Sequence, residues 1–232
     1  MKLLLTLIFV QFSCILMGQI FPGFDSLQLI PFVEDKVEHP RNLFSSFKKI
    51  GSIENSQANF EMRIYPDMER GAFFPMLFIM RSENEKLVTN LYYSWRDSTT
   101  FPMRGSAILE TNENRILFIW PHDRIKQPND SFLVKALPLG LFDITDQKKF
   151  IDSLKSMGIT LYDLNNNKSN VRVTHPPYGY DFFEIKLGNK IRSFRISHNA
   201  SIYYWYNKEV PELKKFNDLY MHYYSYLIPK ND

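Results

Sequence analysis

An α+β fold is predicted for this chain: an antiparallel sheet of several β-hairpins with two main helices packed against it. Three observations predict it. Two pairs of strand-like segments flank polar turns between residues 58 and 120, a third hairpin closes on Gly188-Asn189, and helical spacing recurs near 146–157 and after Pro211. A hydrophobic content of 44% and an aromatic content of 16% supply a packed core for a chain of 232 residues.

The N-terminal segment reads as an address. Lys2 precedes an apolar run at 3–12, broken only by Thr6 and Gln11, which is too short to span a bilayer and suits a secretory signal at 1–18. Cleavage is expected after Gly18, leaving Gln19 as the first residue. A lipid anchor at Cys14 is disfavoured: Gln11 stands where such signals carry leucine, and Ile15-Leu16-Met17 is not a polar tether. The apolar core followed by Gly18-Gln19 is similar to export signals of Gram-negative bacteria, so a periplasmic, outer-surface or secreted location is expected. Cys14 is the only cysteine, so the mature chain has no disulfide and no thiolate nucleophile or ligand. Asn-x-Ser sites stand at Asn129, Asn167 and Asn199.

Residues 19–56 form an irregular N-terminal extension punctuated by Pro22, Pro31 and Pro40 and laid over the core. A short helix is expected at 42–49, with Leu43, Phe44 and Phe47 on one side. Residues 57–232 are read as one α+β domain, with sublobes 57–141 and 142–232 as the alternative organisation.

Residues 60–65 alternate apolar Phe60, Met62 and Ile64 with polar Glu61 and Arg63, which predicts a half-buried strand. Residues 74–80 are apolar on both faces and suit a central strand. A polar turn at 82–86 leads to a strand at 87–95 with Leu87, Leu91, Tyr93 and Trp95 on one face. Strands at 106–110 and 115–120 follow around Thr111-Asn112-Glu113-Asn114, and two consecutive hairpins predict a meander. Pro138 and Gly140 leave 131–142 ambiguous.

The helix at 146–157 carries Phe150, Ile151, Leu154 and Met157 at helical spacing. Thr145 or Asp146 caps its start, and Gly158 suits the left-handed residue after its end. The turn Gly188-Asn189 sets Leu187 opposite Lys190, Ile185 opposite Arg192 and Phe183 opposite Phe194. Glu184 then lies diagonal to Arg195 on the other face. Pro211 and Glu212 start a last helix whose stripe is Leu213, Phe216, Leu219, Tyr220, Tyr223 and Leu227.

Function is thinly written. The net charge is +3 with no basic block, so nucleic acid is not indicated, and no apolar run after the signal reaches transmembrane length. The chain has no P-loop, dinucleotide fingerprint, nucleophile elbow, EF-hand or metalloprotease helix, so no cofactor or metal is expected. Three places carry candidate site residues. His122-Asp123-Arg124 follows Trp120-Pro121 at a strand end. The loop Thr174-His175-Pro176-Pro177-Tyr178-Gly179-Tyr180 is stiffened by two prolines and presents His175, Tyr178 and Tyr180. The run Tyr203-Tyr204-Trp205-Tyr206 would stack on sugars or anchor a protein if exposed, whereas a strand would bury alternate members. Asp181 and Glu184 form a carboxylate pair of unknown separation. The leading expectation is an exported, non-catalytic binding or interaction module of the cell envelope with a protein or glycan partner. The alternatives are a hydrolase using His122 or His175 and a periplasmic inhibitor or immunity-type protein.

Overall fold

The structure, a computed structural model, describes residues 27, 30–37, 44–66, 75–84, 86–95, 106–112, 115–121, 131–159, 161, 179–198 and 200–227. Its strands are β1 (Phe60–Tyr65), β2 (Met76–Glu83), β3 (Lys86–Trp95), β4 (Ala107–Thr111), β5 (Ile116–Ile119), β6 (Tyr180–Leu187) and β7 (Lys190–Ser197). Its helices are α1 (Ser131–Ala136), α2 (Gln147–Ser156), α3 (Ala200–Tyr206) and α4 (Glu212–Leu227). The strands form one seven-stranded sheet in the order β4-β5-β3-β2-β1-β6-β7, with every neighbouring pair antiparallel. The α+β fold is therefore as the alternation and helical spacing predict.

The β6–β7 hairpin has the register that its turn dictates. Leu187 faces Lys190, Ile185 faces Arg192 and Phe183 faces Phe194, with Gly188 at φ 59°. The Phe183 and Phe194 rings stack with centroids 4.8 Å apart, a contact worth about 1 kcal/mol beyond burial. The turn between β2 and β3 is tighter than the sequence suggests. Both strands continue to Glu83 and from Lys86, and Asn84 takes a left-handed φ of 48°.

The meander is a correction. After β3 the chain goes to the sheet's outer edge as β4, and β5 returns to pair with β3. Burial explains this order. Leu117 and Phe118 of β5 are buried, and Phe118 stacks on Tyr93 at 5.0 Å, whereas Ala107, Ile108 and Thr111 of β4 are exposed and suit an edge.

Helices α1, α2, α3 and α4 share one face of the sheet. Phe60, Met62, Ile64, Phe78, Met80, Leu91, Phe183, Ile185 and Phe194 meet Phe132, Leu133, Ile151, Leu154, Leu213, Phe216, Leu219 and Tyr223 in the main core. Asp146 caps α2, accepting from Lys149 N at 2.9 Å, and Gly158 follows at φ 78°. Met157 departs from its expected place on the apolar stripe: it sits at the C-cap, where the helix has ended, and is 65% exposed.

Strand β7 is the other edge of the described sheet, and three of its outward amides are engaged. Ser193 N donates to Asp35 O at 2.7 Å, Arg195 N to Asp146 Oδ2 at 2.8 Å, and Ser197 N to Gln147 Oε1 at 2.7 Å. Val37 N adds a bond to Ser193 Oγ at 2.6 Å. The expected Glu184–Arg195 diagonal does not become a contact. Arg195 gives Nε and Nη2 to Asp146, while Glu184 accepts from Tyr65.

The second face of the sheet is covered by the N-terminal extension. Phe44, Phe47 and Ile50 pack on Tyr65, Leu77, Ile79, Tyr92, Leu117 and Phe182. Residues 44–50 do this as turns, not as the expected short helix. Phe47 and Ile50 close back on the two preceding turns through Phe47 N to Phe44 O and Ile50 N to Phe47 O. Gly51 then turns the chain at φ 63°, which ends any helical continuation.

Candidate functional site

The second sheet face holds a cleft of about 640 Å³, within the size range of small-molecule sites. Its floor is built from β1, β2 and β3, and its wall from residues 48–58 of the extension. The alternation that points Phe60, Met62 and Ile64 at the helices points Glu61 and Arg63 here. The same parity brings Ile79, Arg81 and Glu83 of β2 and Tyr92 of β3 to the floor.

The floor is ionic. Glu61 and Arg63 are 2% and 3% exposed, and Arg63 Nε donates to Glu61 Oε1 at 2.6 Å. Arg63 also donates Nη1 to Gly51 O at 2.9 Å and Nη2 to Ile50 O at 3.3 Å, so one guanidinium ties the wall to the floor. Ser56 Oγ donates to Glu61 Oε2, and Lys186 Nζ reaches Ser56 O. Burial alone pulls the Arg63 guanidinium down, but Glu61 and Tyr65 beside it outweigh that and hold it above its ordinary value. Next to this pair, Arg81 Nε donates to Glu83 Oε1 at 2.5 Å, with both side chains about two-fifths exposed. Glu61 is directly opposite Arg81 across the β1–β2 ladder, so charge alternates over two strands. Burial pushes the Tyr92 hydroxyl up, against the pull of Arg81.

A smaller cavity of about 220 Å³ adjoins the cleft and shares Lys48, Gly51, Ser52 and Arg63 with it. Glu184 closes its floor and accepts from Tyr65 Oη at 2.7 Å. Burial raises the Glu184 carboxyl above 4.5, with Tyr65 and Arg63 offsetting only part of that. A raised carboxyl binds its proton more tightly in the folded state than in the unfolded one. Its stabilising contribution is therefore full below pH 4.5 and is lost as pH rises through the folded value. Glu184→Gln keeps an acceptor for Tyr65 and removes the titration. In urea unfolding, the variant should gain on wild type as pH rises from about 4.5 to about 7. A stability difference that stays constant over that interval would remove the assignment.

A second polar constellation lies on the helix face. His198, in the turn after β7, donates from Nε2 to Asp181 Oδ1, and Tyr223 of α4 donates its hydroxyl to Asp181 Oδ2. Asp181 is buried, and it pushes the Tyr223 hydroxyl up further after burial has done most of that. Asp181 and Glu184 are thus no acid–base pair: they leave β6 on opposite faces and serve different hydroxyls.

Of the residues singled out in the sequence, Trp120, Tyr180, Tyr204 and Trp205 do not line the cleft. Trp120 is partly buried, its ring edge-on to Tyr93 at 6.1 Å and its amide bonded to Leu91 O at 2.9 Å. Tyr180 is half-buried, and burial followed by Tyr203 pushes its hydroxyl up to about 12. Residues 203–206 lie on helix α3. Helical spacing leaves Tyr203 and Tyr204 half-buried against the main core, while Trp205 is 66% exposed with Lys208 Nζ 4.5 Å over its ring. His122, His175 and Tyr178 lie outside the described residues, as does the signal segment 1–18.

What sequence reading missed is the cleft itself. Its signal was present as Glu61-x-Arg63 and Arg81-x-Glu83, opposite charges two apart on neighbouring strands. Among the described residues no group of three or more His, Cys, Asp or Glu side chains could hold a metal ion. No helix of the described residues is long and apolar enough to cross a membrane. No family model, no curated protein and no solved structure matches the chain.

Proposed function

We propose that this protein is an exported binding module of the cell envelope and that the cleft on the second sheet face is its ligand site. One observation carries the reading: a cleft of about 640 Å³ stands over a buried, hydrogen-bonded ionic floor. Burying Glu61 and Arg63 costs desolvation, offset by the hydrogen bonds that tie the wall of the cleft to its floor. Held charges of both signs on β1 and β2, with Tyr92 on the neighbouring β3 and Asn55, Ser56 and Gln57 on the wall, suit recognition of a polar small molecule. Lys2 and the apolar run at 3–12 support export.

The reading is tested by filling the cleft. Ala58 lines it and is half-buried, so Ala58→Trp projects an indole into the cavity. Full-length wild type and variant would be incubated with small molecules extracted from cell envelopes, and retained compounds quantified by mass spectrometry. A compound enriched on wild type should fall at least about tenfold on the variant, at an unchanged melting midpoint. Identical retained sets on both proteins would overturn the proposal.

A further inference from the structure

We infer that the cleft selects a small molecule carrying an oxyanion, a carboxylate or a phosphate, gripped by Arg81, Lys48 and Lys49. This rests on the cleft being a ligand site and adds what the ligand must carry. Carboxylate acceptors in the cleft are used up while its cationic donors are not. The two carboxylates that line the cleft among the described residues are already engaged. Glu61 accepts from Arg63 Nε and Ser56 Oγ, and Glu83 accepts from Arg81 Nε. The Arg63 guanidinium is likewise spent, on Glu61 and on the carbonyls of Gly51 and Ile50.

The cationic donors are not spent. Arg81 uses Nε alone, so its Nη1 and Nη2 have no partner among the described residues. Lys48 and Lys49 line the same cleft; their backbone amides hold Glu110 at 2.9 and 2.8 Å, and their ammonium groups have no bonded partner among the described residues. Glu110 is fixed by those two amides and does not line the cleft. Glu83 fixes the Arg81 fork from one side, so the open side of a planar two-donor group is pre-oriented. A planar fork of this kind matches the paired oxygens of a carboxylate or phosphate, and two ammonium groups complete the neutralisation. A neutral sugar would offer the open Nη1 and Nη2 donors of Arg81 only uncharged acceptors.

Isothermal titration of the full-length protein tests this with three probes: glutarate, glycerol phosphate and uncharged maltose. Glutarate, glycerol phosphate or both should bind, more weakly as salt rises, and maltose should give no heat. Which anion binds more tightly tells the carboxylate source from the phosphate source. Arg81→Gln should weaken the bound anion about tenfold or more, and Lys48→Gln with Lys49→Gln should weaken it further and flatten the salt dependence. Anion binding unchanged in these variants would overturn the inference. So would the absence of heat with both anions. Maltose binding that is independent of salt and lost in Ala58→Trp would overturn the oxyanion while leaving the cleft as the ligand site.

Discussion

Asp146→Ala is expected to lower stability by about 3–5 kcal/mol, the usual cost of breaking a buried ion pair at one partner. Asp146 is fully buried and accepts four hydrogen bonds, from Lys149 N, Arg195 N, Arg195 Nε and Arg195 Nη2. Its removal strips α2 of its cap, leaves an edge-strand amide without an acceptor, and strands a guanidinium that is 23% exposed. Asp146→Asn keeps an efficient cap while removing the charge. It should retain a substantial part of what alanine loses. Urea unfolding at neutral pH measures both variants, and an alanine variant within about 1 kcal/mol of wild type would contradict the account.

Arg63→Ala is the second large effect, also about 3–5 kcal/mol, because Glu61 stays buried with Ser56 as its remaining bonded partner. This substitution has a local signature as well. The carbonyls of Ile50 and Gly51 lose their donor, so the wall at 48–58 loosens and the extension becomes a protease target. The double variant Glu61→Gln with Arg63→Met separates the two consequences. Removing the stranded charge should recover much of the global stability, while cleavage within residues 44–56 stays faster than in wild type. Equal protection of that segment in wild type and Arg63→Ala would show that the apolar contacts of Phe44, Phe47 and Ile50 suffice to hold it.

Sheet and helices were legible because their signals are local. Gly188-Asn189 with the alternation on either side fixes a hairpin register by backbone geometry alone, and Asp146 with Gly158 brackets a helix by hydrogen-bond chemistry. Strand order is a different matter. That β5 and not β4 lies beside β3 depends on which strand buries its side chains on Tyr93 and Leu91, a long-range competition that local pattern does not rank. The aromatic run at 203–206 is likewise not ranked by local pattern. Tyrosine and tryptophan favour strands weakly, and docking of α3 beside α4 on the core overrides that preference. The cleft stayed hidden because Glu61 and Arg63 read as a solvated strand face until Phe44, Phe47 and Ile50 are laid over it. Cover from a segment so far upstream has no periodicity of its own to announce it.

The two margins of the sheet set how the protein behaves in a crowd of its own copies. At β7 the outward amides of Ser193, Arg195 and Ser197 already have an oxygen, supplied by Asp35, Asp146 and Gln147, so a foreign strand finds no continuous row of donors to pair with. At β4 the ladder is broken by a bulge between Ile108 and Glu110, and the strand is only five residues long. Both margins are poor templates for end-to-end growth of the sheet. A chain with margins so finished is expected to refold at high local concentration with little strand pairing between copies.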